Sequence, residues 1–241
     1  MDDFENYFYE YINKKPIYTA EGEYVVPPFW EFMYRIQALH RHWMVSRDFT
    51  NKHLNKLKNA GTISGKHEEY YDLYSETAGS DIDYIPEQIR GSTISMLISL
   101  LENLLIQLSE VIAKELKIKI ELSENKMPLI NKHIYWLTKG CGLEVYIPKE
   151  TNKNLDLIRE IRNRFIHNIN RDLPDQLKKT LSQIVERNDD TNSLVDDAFV
   201  EFSFNKISEL VKNIELSYIE FDKRNQIKNM MKNLDIPDDI I

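Results

Sequence analysis

The chain has 241 residues, enough for one large domain or for a core domain with an elaborated end. Lysine and arginine number 31 against 39 acids, a formal charge of −8. No global field therefore draws the protein onto nucleic acid or an anionic membrane, and any basic site must be local. Hydrophobic residues at 42% and charged residues at 29% exclude the compositions that stay disordered. The single cysteine, Cys141, excludes an internal disulfide framework and every multi-cysteine zinc or iron–sulfur arrangement, which fits a reducing cytoplasm. The opening MDDFENYFYEY carries acids where a secretory signal carries bases, so an untargeted cytoplasmic protein is expected.

In chain order, Pro27 and Pro28 precede Phe29, Phe32, Met33, Ile36, Leu39 and Trp43 at spacings of three and four, which predicts an amphipathic helix reaching toward Leu57. A shorter helix is predicted over 68–77. The NAGTISG and AGSDIDYIPE segments read as loops from their Gly, Ser, Asp and Pro content. Residues 1–87 are thus expected to form a helical N-terminal elaboration. The apolar run 94–113 approaches the length of a membrane span, but Glu102, Asn103, Gln107 and Glu110 interrupt it. Those polar positions recur at helical spacing and leave Leu97, Leu101, Leu104, Leu105, Leu108 and Ile112 on one broad side. A core helix over 91–117 is predicted, with no membrane association.

Further on, Ser123 and Pro128 mark a helix through Leu137 that Gly140 ends, and CGLEVYIP is extended. Asn154 is placed to cap a helix carrying Leu157, Ile158, Ile161 and Phe165, until the polar NINRD breaks it. Asp172 and Pro174 open another. The final pattern, Ile207, Leu210, Val211, Ile214, Tyr218 and Phe221, predicts a helix over 204–232, followed by an acidic tail at 233–241. Long helical patterns with few strand signals give an all-α fold: a bundle of 88–232 around a long central helix, with at most one short hairpin near LEVYI or AFVEF.

No glycine-rich phosphate loop, GxSxG turn, HExxH helix or EF-hand loop occurs. His40, His42 and His53 match no metal-ligand spacing, and neither a metal nor another cofactor is expected. Cys141 has no charged activator beside it in sequence and is expected to be inert. The informative segment is LIREIRNRFIHN, residues 157–168. From Asp156 to Arg171, four arginines face two acids, a net +2, so the protein reverses its global sign there. Histidine titrates near neutrality and suits proton transfer. Arginine offers a permanent planar charge suited to a phosphate gaining negative charge.

Arg162-Asn163, three further residues and His167 resemble the R-polar-x-x-x-H signature of HEPN domains. Other Arg–His pairs have similar spacing, Arg35 with His40 or His42 and Arg47 with His53. Those lie in the N-terminal elaboration, without the apolar helix and long upstream core helix that surround Arg162. The element order over 88–232 is similar to the HEPN order as well. The resemblance implies a metal-independent endoribonuclease in a toxin or phage-defence role, acting on RNA as a homodimer, with a possible antitoxin or defence-complex partner. It implies His167 for proton transfer, Arg162 for phosphate charge and Asn163 in support. Arg159, Arg164 and Arg171 would bind substrate, and Glu102 would hold Arg162 or His167. The alternative is a non-catalytic HEPN-like module binding RNA, a nucleotide or a protein; a third reading places function on the N-terminal helix with Trp30, Trp43 and Tyr70.

Overall fold

The computed structural model describes residues 26–64, 68–167, 179–182 and 195–233. Among them the chain is all-α: the backbone is helical over most of its length and forms no strand. Three long helices make the body. Helix α1, Pro27–Ser64, starts at two prolines whose missing N–H groups cost nothing in a first turn. Helix α2, Glu68–Leu116, returns along it, and Gln107 Nε2 donates to Glu31 Oε2 at 3.1 Å near the far end. Lys117, at φ 56°, then ends α2 in the left-handed conformation common just past a helix terminus.

Helices α3, Leu129–Tyr135, and α4, Lys149–His167, follow, separated by a π-helical turn at Trp136–Gly140 and an extended segment. Helix α5, Asp197–Asn233, closes the bundle. Asp196 caps it by accepting the Phe199 N–H at 2.7 Å. It runs antiparallel to α1, with Tyr218 near Phe29 and Phe204 near His40. It runs parallel to α2, with Asp197 on Arg90 and Tyr218 on Glu115.

The core sits between these three helices. Ile94, Leu97, Ile98, Leu101, Leu105 and Leu108 of α2 are fully buried, facing Phe29, Ile36 and Trp43 of α1 and Phe204, Ile207 and Val211 of α5. By length and composition the 84–116 part of α2 matches a membrane span. Leu97, Leu101, Leu104, Leu105 and Leu108 are buried against neighbouring helices, as in the staff of a bundle.

Several expectations change. The loop expected at AGSDIDYIPE is helix, and α2 runs unbroken through Pro86. A proline removes one rung of the ladder, and a helix of 49 residues clamped to its neighbours absorbs that loss. NAGTIS likewise belongs to α1. The boundary expected at residue 87 falls inside α2, and Phe29 to Met44 share one core with the rest, so α1 is a member of the bundle. Asn154 does not cap α4. The helix begins earlier, at Lys149, and Asn154 is buried in its second turn. The AFVEF segment opens α5, and LEVYI is extended without a strand partner among the described residues. The helix expected from Asp172 and the tail beyond 233 lie outside the described residues.

Candidate functional site

The end of α4 carries the sequence-predicted site. Its anchoring face is Leu155, Ile158 and Ile161, all buried, with Phe165 packed against the core. Phe165 lies so close to Gly91 of α2 that a Cβ on Gly91 would overlap its ring. Gly91 is thus what lets α4 approach α2, and only the absence of a side chain permits it.

Above that contact the motif residues diverge. α4 stays helical through His167, so at about 100° per residue Asn163 and His167 project within about 40° of one another, whereas Arg162 and His167 are about 140° apart. Burial agrees: Asn163 and His167 are exposed, Arg162 half-buried. Arg162 Nη1 donates to Asn163 Oδ1 at 3.1 Å, and its buried Nε has no hydrogen-bond partner among the described residues. Among the described residues the guanidinium is thus held by one neutral oxygen, and no carboxylate offsets its charge.

The flanking arginines are locally tied, Arg159 to Asp156 at 3.0 Å and Arg164 to Glu160 at 3.1 Å. Such exposed pairs within one turn contribute little stability and yield readily to a competing phosphate. Arg171 lies outside the described residues. Glu102 sits eleven residues beyond Gly91 on α2, about 16 Å of helix rise from the level where Phe165 docks. It forms no hydrogen bond or ion pair with Arg162 or His167 among the described residues.

A second polar cluster was not singled out by sequence. Glu201 of α5 accepts from Trp43 Nε1 at 2.9 Å, lies 2.9 Å from His40 Nε2, and stands 3.9 Å from Arg47 Nη1. Burial raises the pKa of its carboxyl, but the hydrogen bond and charge of His40, with Trp43 and Arg47, outweigh that and hold it below the usual carboxylate value. Arg47 also bonds Asp48 at 3.0 Å and lies over the Trp43 ring at 5.9 Å. Next to it Arg90 bonds Asp197 at 2.6 Å. Arg47, Thr50, Asn51, Arg90 and Asp197 line a cleft with room for about one water molecule. Its two guanidinium groups are paired with carboxylates, Arg47 with Asp48 and Arg90 with Asp197. The cluster reads as a fastening between α1, α2 and α5. Its only sequence signal was the pair of indistinct Arg–His spacings, because the partners lie 158 and 161 residues apart.

Two other reactive-looking groups are structural. His133, buried, has Nδ1 2.9 Å from Ser109 Oγ, whose hydroxyl proton goes to the Leu105 carbonyl at 2.7 Å. Nδ1 must therefore be the donor. Burial lowers the pKa of His133, with Glu110 opposing, and keeps the imidazole neutral. Burial pushes the Cys141 thiol up to about 11, away from the thiolate form that reacts. Among the described residues no three His, Cys, Asp or Glu side chains gather as a metal site.

Compared with known proteins, the chain matches no protein-family model, no curated protein and no solved structure.

Proposed function

We propose that the protein is a metal-independent endoribonuclease of HEPN type, acting in the cytoplasm in a toxin or phage-defence role. The supporting observation is the end of α4, where an exposed His167 stands beside Asn163 while Arg162 keeps a buried, unbonded Nε. In the proposed reaction a base takes the proton of a ribose 2′-OH, the 2′-oxygen attacks the adjacent phosphorus, and the 5′-oxygen leaves with a proton. The products are a 2′,3′-cyclic phosphate and a 5′-OH. His167 moves the proton, Arg162 stabilises the charge on phosphorus, and Asn163 orients one or the other. Arg159, Arg164 and Arg171 hold the flanking phosphates.

The divergence of about 140° between Arg162 and His167 along a regular helix sets a condition on that chemistry. The two groups act on one phosphate when His167 of one copy meets Arg162 of another. The same divergence favours, as the second reading, a non-catalytic module that binds RNA through the arginines alone.

Cleavage of mixed cellular RNA in EDTA separates the two. The nuclease reading expects wild-type cleavage ending in cyclic phosphate, and a fall of at least about 100-fold in both His167→Ala and Arg162→Ala. Equal cleavage by wild type and both variants removes the site assignment. Retarded migration of RNA without cleavage supports the binding module.

A further inference from the structure

Helix α1 is a basic element in an acidic chain. Arg35, Arg41, Arg47, Lys52, Lys56 and Lys58 stand against Glu31 and Asp48, a net +4, where the whole protein carries −8. Both acids are already paired, Glu31 with Arg35 and with Gln107 of α2, and Asp48 with Arg47. Arg41 and Lys56 are exposed and form no ion pair among the described residues. An anion approaching the outer face of α1 therefore meets positive charge that no carboxylate of the helix offsets.

That face interleaves its cations with aromatic rings. Trp30, Tyr34 and Phe49 are 46%, 53% and 70% exposed, and at about 100° per residue they share about 100° of arc with Arg41, Lys52 and Lys56. Trp43, 1% exposed, faces the core instead. Trp30 and Tyr34 pack edge-on with centroids 5.0 Å apart, so both rings are partly ordered before a ligand arrives, which lowers the entropy lost on binding. Along the axis the order is ring, cation, ring, cation: Trp30 and Tyr34, then Arg41, then Phe49, then Lys52 and Lys56. From Trp30 to Lys56 the helix rises about 39 Å, the length of about 11 nucleotides at the roughly 3.4 Å spacing of one stacked strand.

We propose that this face binds a single-stranded nucleic acid, with bases on Trp30, Tyr34 and Phe49 and phosphates on Arg41, Lys52 and Lys56. Every nucleotide of a single strand offers both a π-face and a negative charge, so an alternation of rings and cations suits it along its whole length. A helix built for a membrane surface keeps its cations and its apolar side chains on opposite faces. On α1, Arg41 lies between Trp30 and Tyr34 in angle around the axis, so lowering the rings into lipid would bury its charge. None of the motif residues of α4 takes part, and binding at α1 stands or falls apart from cleavage at α4.

Fluorescence anisotropy of the full chain with a labelled 2′-O-methyl oligouridine of about 12 nucleotides tests it, because a strand without a free 2′-OH can be bound but not cut by 2′-oxygen attack. Wild type should bind the strand. Tyr34→Ala and Phe49→Ala, both at exposed positions and with the fold intact by circular dichroism, should each weaken binding at least about 5-fold. Arg41→Ala combined with Lys56→Ala should shrink the slope of log affinity against log salt by about 1.4. No binding by wild type overturns the proposal. Binding that the α1 variants leave unchanged and Arg162→Ala abolishes also overturns it and places the strand on α4 alone. Binding to phosphatidylserine vesicles without binding to the oligomer overturns it as well and gives the face to lipid. Binding that depends on α1 in a protein that cuts no RNA upholds this inference and removes the nuclease reading.

Discussion

The end of α4 and the cluster around Glu201 hold the same kinds of side chain and use them in opposite ways. On α4 the ion pairs among the described residues close within one helical turn, Arg159 with Asp156 and Arg164 with Glu160. Around Glu201 the partners are His40 and Trp43 from another helix, so each bond ties α1 to α5. At the first place the arginines are paired within their own helix and His167 is exposed; at the second, arginine and histidine hold the bundle together. Chemistry follows from whether the partners of a charged group are local and exposed or distant and half-buried.

The largest expected effect tests the fastening. Trp43 is 1% exposed, donates to Glu201 and lies beneath Arg47. Trp43→Ala should cost about 3–5 kcal/mol, the range for truncating a buried aromatic ring, read as a lower urea midpoint. A loss below about 1 kcal/mol would show that the cluster is peripheral to the bundle.

Much of the bundle was legible in sequence because the relevant signals are periodic. Leu97, Leu101, Leu104 and Leu108 on α2, and Ile207, Leu210, Val211 and Ile214 on α5, are buried as their spacing indicates. The ends of the elements were less legible. Pro86 and Gly61 carry loop signals, yet both lie inside long helices. The motif segment stood out because its charges are adjacent in sequence. Spacing also conveys direction, since at about 100° per residue Arg162 and His167 share one helix but not one face; what the fold adds is that α4 stays helical through His167, so the divergence stands. The Glu201 cluster was hidden for the opposite reason. Arg35 and His40 have the spacing of the motif, yet Arg35 pairs with Glu31 and His40 with Glu201, and only the folded chain shows which is which.

Gly91 connects the two regions, since it lies on the helix that carries Arg90 and receives Phe165 of the motif helix. Gly91→Ala places a methyl inside the Phe165 ring and should cost about 1–3 kcal/mol through overpacking. RNA cleavage should fall with it, while the Arg90–Asp197 pair, on another side of α2, stays intact. Normal stability and activity in this variant would mean that α4 tolerates displacement and that the position of the motif is not set by this contact.

Glu201→Gln comes next. The amide keeps the size but cannot satisfy His40, Trp43 and Arg47 with an ionised oxygen pair, and about 1–2 kcal/mol should be lost at neutral pH. The acid dependence carries the sign. Glu201 has a folded pKa below its ordinary value of 4.5, so its contribution is complete above that value and disappears as pH falls through the folded one. The stability gap between wild type and Glu201→Gln should therefore close below pH 4.5. A gap that stays constant into acid would assign the loss to packing instead of charge.

Arg159→Ala and Arg164→Ala should have the smallest effect on folding, within about 0.5 kcal/mol, because each replaces an exposed pair made within one turn. Their consequence belongs to binding. If these side chains exchange Asp156 and Glu160 for phosphates of a bound strand, each substitution removes one phosphate contact. The slope of log affinity against log salt for single-stranded RNA should then shrink by about 0.7 per arginine. An unchanged slope with unchanged stability would leave both arginines as solvated surface. The contrast with Glu201 would then narrow to Arg162, the one arginine of the α4 end whose buried Nε has no hydrogen-bond partner among the described residues.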